Sequence, residues 1–189
     1  MIKPVNNIAE IMAYPKEVAA RHHLEAFIAG GYLRDTLLNK PVKDIDVFMI
    51  PARLLDFDMD EALLLAHDEN MEVDMENVYE TIDNTINDDI CMVANKVVGN
   101  IRYPYNFIFL NQHVSPQAVL DSFDFGICQI GIDENMEVIT TPEFWKDSLD
   151  KTYTLLKWRS EERKKFRIAK MSEKFFDYKF VEKHDGSQA

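Results

Sequence analysis

Apolar and polar positions alternate along the chain with two different periods, and these divide it into short elements. From Asn7 to about Ala20 the apolar residues Ile8, Ile11, Met12 and Val18 keep helical spacing, interrupted by Pro15, which predicts one or two short helices. Ala26 to Ala29 predicts a short strand ending at Gly30-Gly31, and Tyr32 to Leu38 a helix of a turn or two that closes near Asn39-Lys40-Pro41. Asp44 to Ile50, rich in β-branched and aromatic residues and stopped by Pro51, reads as a strand. Leu54 to about His67 reads as helix, and Glu69 to Asp89 is polar throughout. Lys96 to Tyr103 predicts a hairpin turning at Gly99-Asn100, followed by a strand from Tyr105 to Leu110. Ser115-Pro116 opens a helix, with Ser115 as its cap and proline in the first turn. Phe123 to Ile132 reads as one more strand, and beyond Pro142 the chain is expected to be helical to about Phe176. The order predicts a mixed sheet carried on helices, an α/β (α+β) fold, with a C-terminal helical arm.

Charge changes this picture in two places. The net charge is −12, yet the segment 56–89 holds 13 acidic residues and no lysine or arginine, whereas Lys151 to Lys183 holds 11 basic residues against 5 acidic. Bulk charge argues against broad nucleic-acid binding, but the arm keeps a local basic face. At 189 residues with 47% hydrophobic content, the chain fits one domain with an appendage and has material for a real core. No apolar stretch approaches a membrane span, and the first residues lack the apolar run of a signal peptide. Cys91 and Cys128 have neither CxxC nor Cys/His spacing and read as free thiols of a reducing cytoplasm. Trp145 and Trp158 fall at helical positions and read as core packing, and His22-His23 as surface.

The stretch AGGYLRDTLLNKPVKDIDVFM carries the candidate chemistry. Residues two apart on a strand share a face, so Asp44 and Asp46 point together while Ile45 and Val47 point the other way. Two ionised carboxylates side by side in a half-buried strand repel each other and resist desolvation. A divalent cation removes both penalties. Mg²⁺ takes oxygen ligands and keeps waters and substrate phosphates in its shell, so this spacing suits a metal-bound triphosphate. Gly30-Gly31 would let backbone N–H groups come close to phosphate at the start of a helix. Arg34 would touch phosphate or hold the loop, and Asp35 would cap or brace it.

GG-x-x-RD followed nine residues later by D-x-D resembles the head-domain signature of the nucleotidyltransferase superfamily of DNA polymerase β type. It most resembles class II tRNA CCA-adding enzymes and bacterial poly(A) polymerases, through Gly30, Gly31, Arg34, Asp35, Leu37, Leu38, Asp44 and Asp46. The resemblance implies a polymerase-β-like sheet, a triphosphate held at Gly30 and Gly31, and Mg²⁺, two ions in the family, on Asp44 and Asp46. A fainter match runs through SFDFGICQIGID, where Asp124 becomes a third acidic site residue, either a metal ligand or a ribose contact. RKKFRIAKMSEKFF resembles the family's neck helix, which makes Arg163, Lys164 and Arg167 candidates for triphosphate or acceptor; the base-reading ED-x-x-R does not align cleanly with WRSEER.

These readings divide the chain into a head at 1–140 with an acidic, partly mobile segment at 56–89, a neck-like arm at 141–183 and a disordered tail at 184–189. The expected activity is Mg²⁺-dependent transfer of a nucleoside monophosphate from an NTP, ATP or CTP, to an acceptor, with release of pyrophosphate. Three readings of its use stand open. The acceptor is a tRNA-like RNA 3′ end gripped by the basic arm, or it is a protein or small molecule, or the domain binds a nucleotide without chemistry.

Overall fold

The computed structural model describes residues 7–53, 55–74 and 89–183. The expectation of a mobile stretch within 56–89 therefore falls partly outside the described residues, and the frayed tail wholly so.

Helix α1 (Ile8–Arg21) is capped by Asn7, whose side chain accepts from the Glu10 amide while Glu10 reaches back to the Asn7 amide. It runs unbroken through Pro15. Proline has no N–H for the carbonyl four residues back, which orphans the Ile11 oxygen. The buried Tyr105 hydroxyl donates to that oxygen at 2.8 Å, a long-range repair that local sequence does not reveal. Tyr105→Phe is expected to leave the carbonyl buried and unpaired and to lower the unfolding free energy by about 1–3 kcal/mol, read by urea denaturation.

Strand β1 (Leu24–Ala29) leads through Gly30 into α2 (Gly31–Leu37), and β2 (Ile45–Pro51) returns antiparallel to β1. Helix α3 (Met59–Asp68) is capped by Asp58, and β3 (Glu72–Val73) follows. β4 (Ile90–Lys96) and β5 (Tyr105–Leu110) form an antiparallel pair. The hairpin is thus wider than expected: Gly99-Asn100 lie in the loop, and β4 comes from a segment the sequence reading left unassigned. α4 (Pro116–Asp121) has Ser115 as its cap, as expected.

The strand expected over Phe123 to Ile132 is broken. Phe125 makes a single bridge to Leu155, residues 126–128 form a 3-10 turn, and only Ile130–Ile132 joins the sheet as β6. The turn is tight because a side chain on Gly126 would meet Asp147 and Glu143 at 2.9–3.0 Å. β7 (Val138–Thr140) completes the sheet. The arm is not helical throughout. α5 (Pro142–Asp150) stops at Lys151, which is left-handed at φ 50°. β8 (Thr152–Leu155), α6 (Glu161–Lys174) and β9 (Lys179–Glu182) follow, with β8 and β9 paired in parallel. The β-branched and aromatic T-Y-T-L run explains β8.

The main sheet has the order β3-β4-β5-β2-β1-β6-β7, and β2–β5 is its parallel pair. One face packs Ile45, Val47, Met49, Phe107 and Phe109 against α1 and α3. The other packs Phe48, Ile50, Ile108 and Leu110 beneath α4. A third cluster joins Phe125, Ile127 and Cys128 to Tyr153, Leu155, Met171 and Phe175, so α6 is fixed onto the 3-10 turn and β8. Among the described residues no helix is long and apolar enough to cross a membrane.

Candidate active site

On the α4 face the apolar alternation of β2 and β5 ends at their N-terminal ends. Phe48 gives way to Asp46 and then Asp44, and Ile108 gives way to Asn106. Asp46 and Asn106 are register partners, and Asn106 Nδ2 donates to Asp46 Oδ1 at 2.9 Å. These residues, Gly30 and Gly31, and one side of α6 line a cavity of about 510 Å³, within the range of sites that enclose a small organic ligand.

The positive φ of the glycine pair lies at Gly30 (φ 77°), whose amide donates to the Ile130 carbonyl at 2.8 Å. A side chain there would also meet the Phe123 ring at 3.2 Å. Gly31 has ordinary backbone; a Cβ on it would stand 3.9 Å from both Asp46 Oδ2 and the Arg34 guanidinium. Its bareness keeps the space beside Asp46 open.

Asp46 is pushed up to about 6, first by burial and then by the charge of Asp44, against the opposing hydrogen bond from Asn106 and the charges of Arg34 and Lys170. A carboxylate pair in that condition favours a cation. The donor set is two hard carboxylates with an amide beside them, which fits Mg²⁺ arriving with phosphates and waters. No group of three or more His, Cys, Asp or Glu side chains is arranged for a metal among the described residues.

The other expected site residues are placed as follows. Arg34 is buried and holds the loop: its Nε donates to Asp35 at 2.7 Å, its Nη1 to Cys128 Sγ at 2.9 Å, and it lies over the Phe175 ring. Asp35, also buried, braces it and accepts from Lys174 Nζ at 2.5 Å. Asp124 lines the cavity, but Arg167 grips both its oxygens, at 2.6 and 2.9 Å. Arg163 lines the cavity as well. Lys164 turns away to pair with Glu182 at 2.6 Å over the Trp158 ring. Cys91 and Cys128 are free, and burial pushes both thiols up. Trp145, expected in the core, is 50% exposed.

The structure adds Lys43, Lys170 and Lys174 to the residues that the sequence reading selected. Arg163, Arg167, Lys170 and Lys174 all line the cavity from α6, joined across it by Lys43. Their spacing of four, three and four is one helix face, a signal the sequence did contain. Partial desolvation, then the charges of Arg167 and Lys43, hold the Lys170 ammonium below the usual lysine range. An anion among these cations would relieve that crowding. Asn106 left no signal, because the β2–β5 register is a tertiary fact.

Residues 6–151 match the model of a family described as Gad2, Gabija anti-defense 2 family protein. No curated protein matches the chain's sequence. Among solved structures, an apo tRNA-processing enzyme is 22% identical, with a TM-score of 0.62 over 95% of this chain and 45% of its own. A tRNA nucleotidyltransferase complexed with a primer tRNA and an incoming ATP analog is 20% identical, with a TM-score of 0.56 over 87% and 46%. The Bacillus stearothermophilus CCA-adding enzyme in complex with CTP is 14% identical, with a TM-score of 0.57 over 93% and 42%. The expected nucleotidyltransferase head fold is therefore present, and the chain spans less than half the length of these enzymes.

Proposed function

The chain belongs to the Gabija anti-defense 2 family, and on that footing we propose that it is a Mg²⁺-dependent nucleotidyltransferase whose activity serves to counter a Gabija defence. One observation carries the reading: a single cavity brings together the glycine turn, the Asp44–Asp46 pair and the cationic face of α6. In this reading the triphosphate lies between the glycine loop and the α6 cations, with Asp44 and Asp46 as the metal ligands. Bound there, Mg²⁺ would neutralise phosphate charge and stabilise the attacking and leaving oxygens. Gly31 keeps the approach to Asp46 clear. Arg163, Lys170 and Lys43 supply positive charge to the leaving pyrophosphate, while Arg34, Asp35 and Arg167 fix the walls. The acceptor hydroxyl oxygen bonds to the α-phosphorus, the α–β phosphoanhydride breaks, pyrophosphate leaves and the hydroxyl proton passes to water. Positioning and charge neutralisation supply most of the rate, as in phosphoryl transfer generally.

The nucleotide is proposed to be ATP or CTP, in line with the ATP analog and CTP held by similar folds. The acceptor is proposed to be an RNA 3′ end in the cytoplasm, supported by the primer tRNA held by one of those folds and by the basic face of α6. A second reading, nucleotide capture without transfer, is favoured by Asn106, which puts an amide where a third carboxylate would strengthen the metal site.

The test is incubation of the protein with Mg²⁺, each α-labelled NTP, and total cellular RNA or lysate protein. Label on RNA 3′ ends is the expected result. Label on protein would move the acceptor to the second class, and nucleotide binding with no label on any polymer would favour capture.

A further inference from the structure

Helix α6 is polar over most of its length, yet it carries Phe166 with 56% of its surface exposed, on the side lining the cavity. Attachment of the helix does not require this ring: Ile168, Met171 and Phe175 already anchor α6 in the third cluster. The Phe166 ring lies 5.4 Å from the Arg163 guanidinium, one turn earlier on the same helix. That contact is a favourable cation–π pair, and the part of the ring left exposed presents a flat, apolar and electron-rich surface to the cavity. It stands in the same cavity as the acidic pair and the cationic stripe, which together suit the polar end of a nucleotide.

We propose that Phe166, backed by Arg163, is the platform on which the nucleobase of the bound nucleotide stacks, so that the site holds the base by its face. The proposal rests on the nucleotide-binding reading above and adds to it a residue that selects the ligand. A face-on platform favours larger rings, so purine nucleotides bind more tightly than pyrimidine ones. It tolerates changes at the base edge, because every base offers a π-face.

The experiment is calorimetry with Mg-ATP, Mg-CTP and Mg-tripolyphosphate on the unaltered protein, Phe166→Ala and Phe166→Trp. Phe166→Ala is expected to weaken ATP binding by roughly 10- to 100-fold, the span found when stacked aromatics are removed from under a base, and CTP binding by less. Tripolyphosphate, which has no base, should bind both forms equally, and Phe166→Trp should restore ATP binding. Equal ATP affinity in the unaltered protein and Phe166→Ala would overturn the platform. So would a parallel loss of ATP and tripolyphosphate, since the ring would then be shaping the phosphate bed. An unaltered protein that binds tripolyphosphate and ATP equally well would refute the platform and leave the polyphosphate site standing. One that binds neither would bring down the nucleotide reading itself.

Discussion

Asp44→Asn and Asp46→Asn are each expected to lower nucleotidyl transfer by about 10³-fold or more, while the metal-free protein keeps its fold and, for Asp46→Asn, gains stability. The loss follows from the strand register, which puts both carboxylates beside the glycine loop and gives the cavity its pair of hard ligands. The gain follows from the cost of keeping Asp46 charged. Burial and the neighbouring Asp44 push its carboxyl up to about 6 in the folded chain, above its unfolded value of about 4. The folded state therefore holds this proton longer than the unfolded state does. Its contribution is most favourable below pH 4, declines as pH rises from about 4 to about 6, and is fully unfavourable above that. The Asp46→Asn protein is spared this decline, and the new amide's oxygen can still accept from Asn106. Thermal melts without metal should show a higher Tm than the unaltered protein at pH 8 and little difference at pH 4. Full activity in both variants would remove the metal assignment, and a melting difference independent of pH would remove the desolvation account.

How far the site could be read from the sequence depends on how local its causes are. The Asp44–Asp46 spacing, the glycine pair and the Ser115-Pro116 helix start are written in neighbouring residues, so alternation and capping rules find them. Pro15 misleads because its remedy, the Tyr105 hydroxyl, arrives from a strand 90 residues away (a tertiary contact that rescues a local violation). β4 was lost beside an acidic run, and its assignment depends on pairing with β5. β8 and β9 are four residues each and exist as a pair, across a helix that lies between them in the chain. The basic arm was legible as composition, but which of its cations face the cavity depends on how α6 rotates onto the third cluster. Met171 and Phe175 set that rotation by burying their side of the helix. It keeps Lys164 on the anchored side, over Trp158 and against Glu182, and brings Lys170 and Lys174 to the cavity.

The same docking makes Arg167 a structural residue as much as a ligand-facing one. Arg167→Gln is expected to destabilise the protein by about 3–5 kcal/mol, the range for removing one partner of a buried ion pair. Asp124 is 2% exposed and both its oxygens are held by the Arg167 fork, so the variant strands a carboxylate that water scarcely reaches. Pairing the change with Asp124→Asn should recover a large part of the loss, since no charge then remains buried without its counterion. Urea denaturation of the two singles and the double gives the coupling directly. Because Arg167 and the Lys174–Asp35 contact both tie α6 across the cavity, the weakened single variant should also bind Mg-ATP less tightly. An Arg167 that served solely as a phosphate contact would behave in the opposite way: Arg167→Gln would lower ATP affinity with stability unchanged, and adding Asp124→Asn would restore nothing.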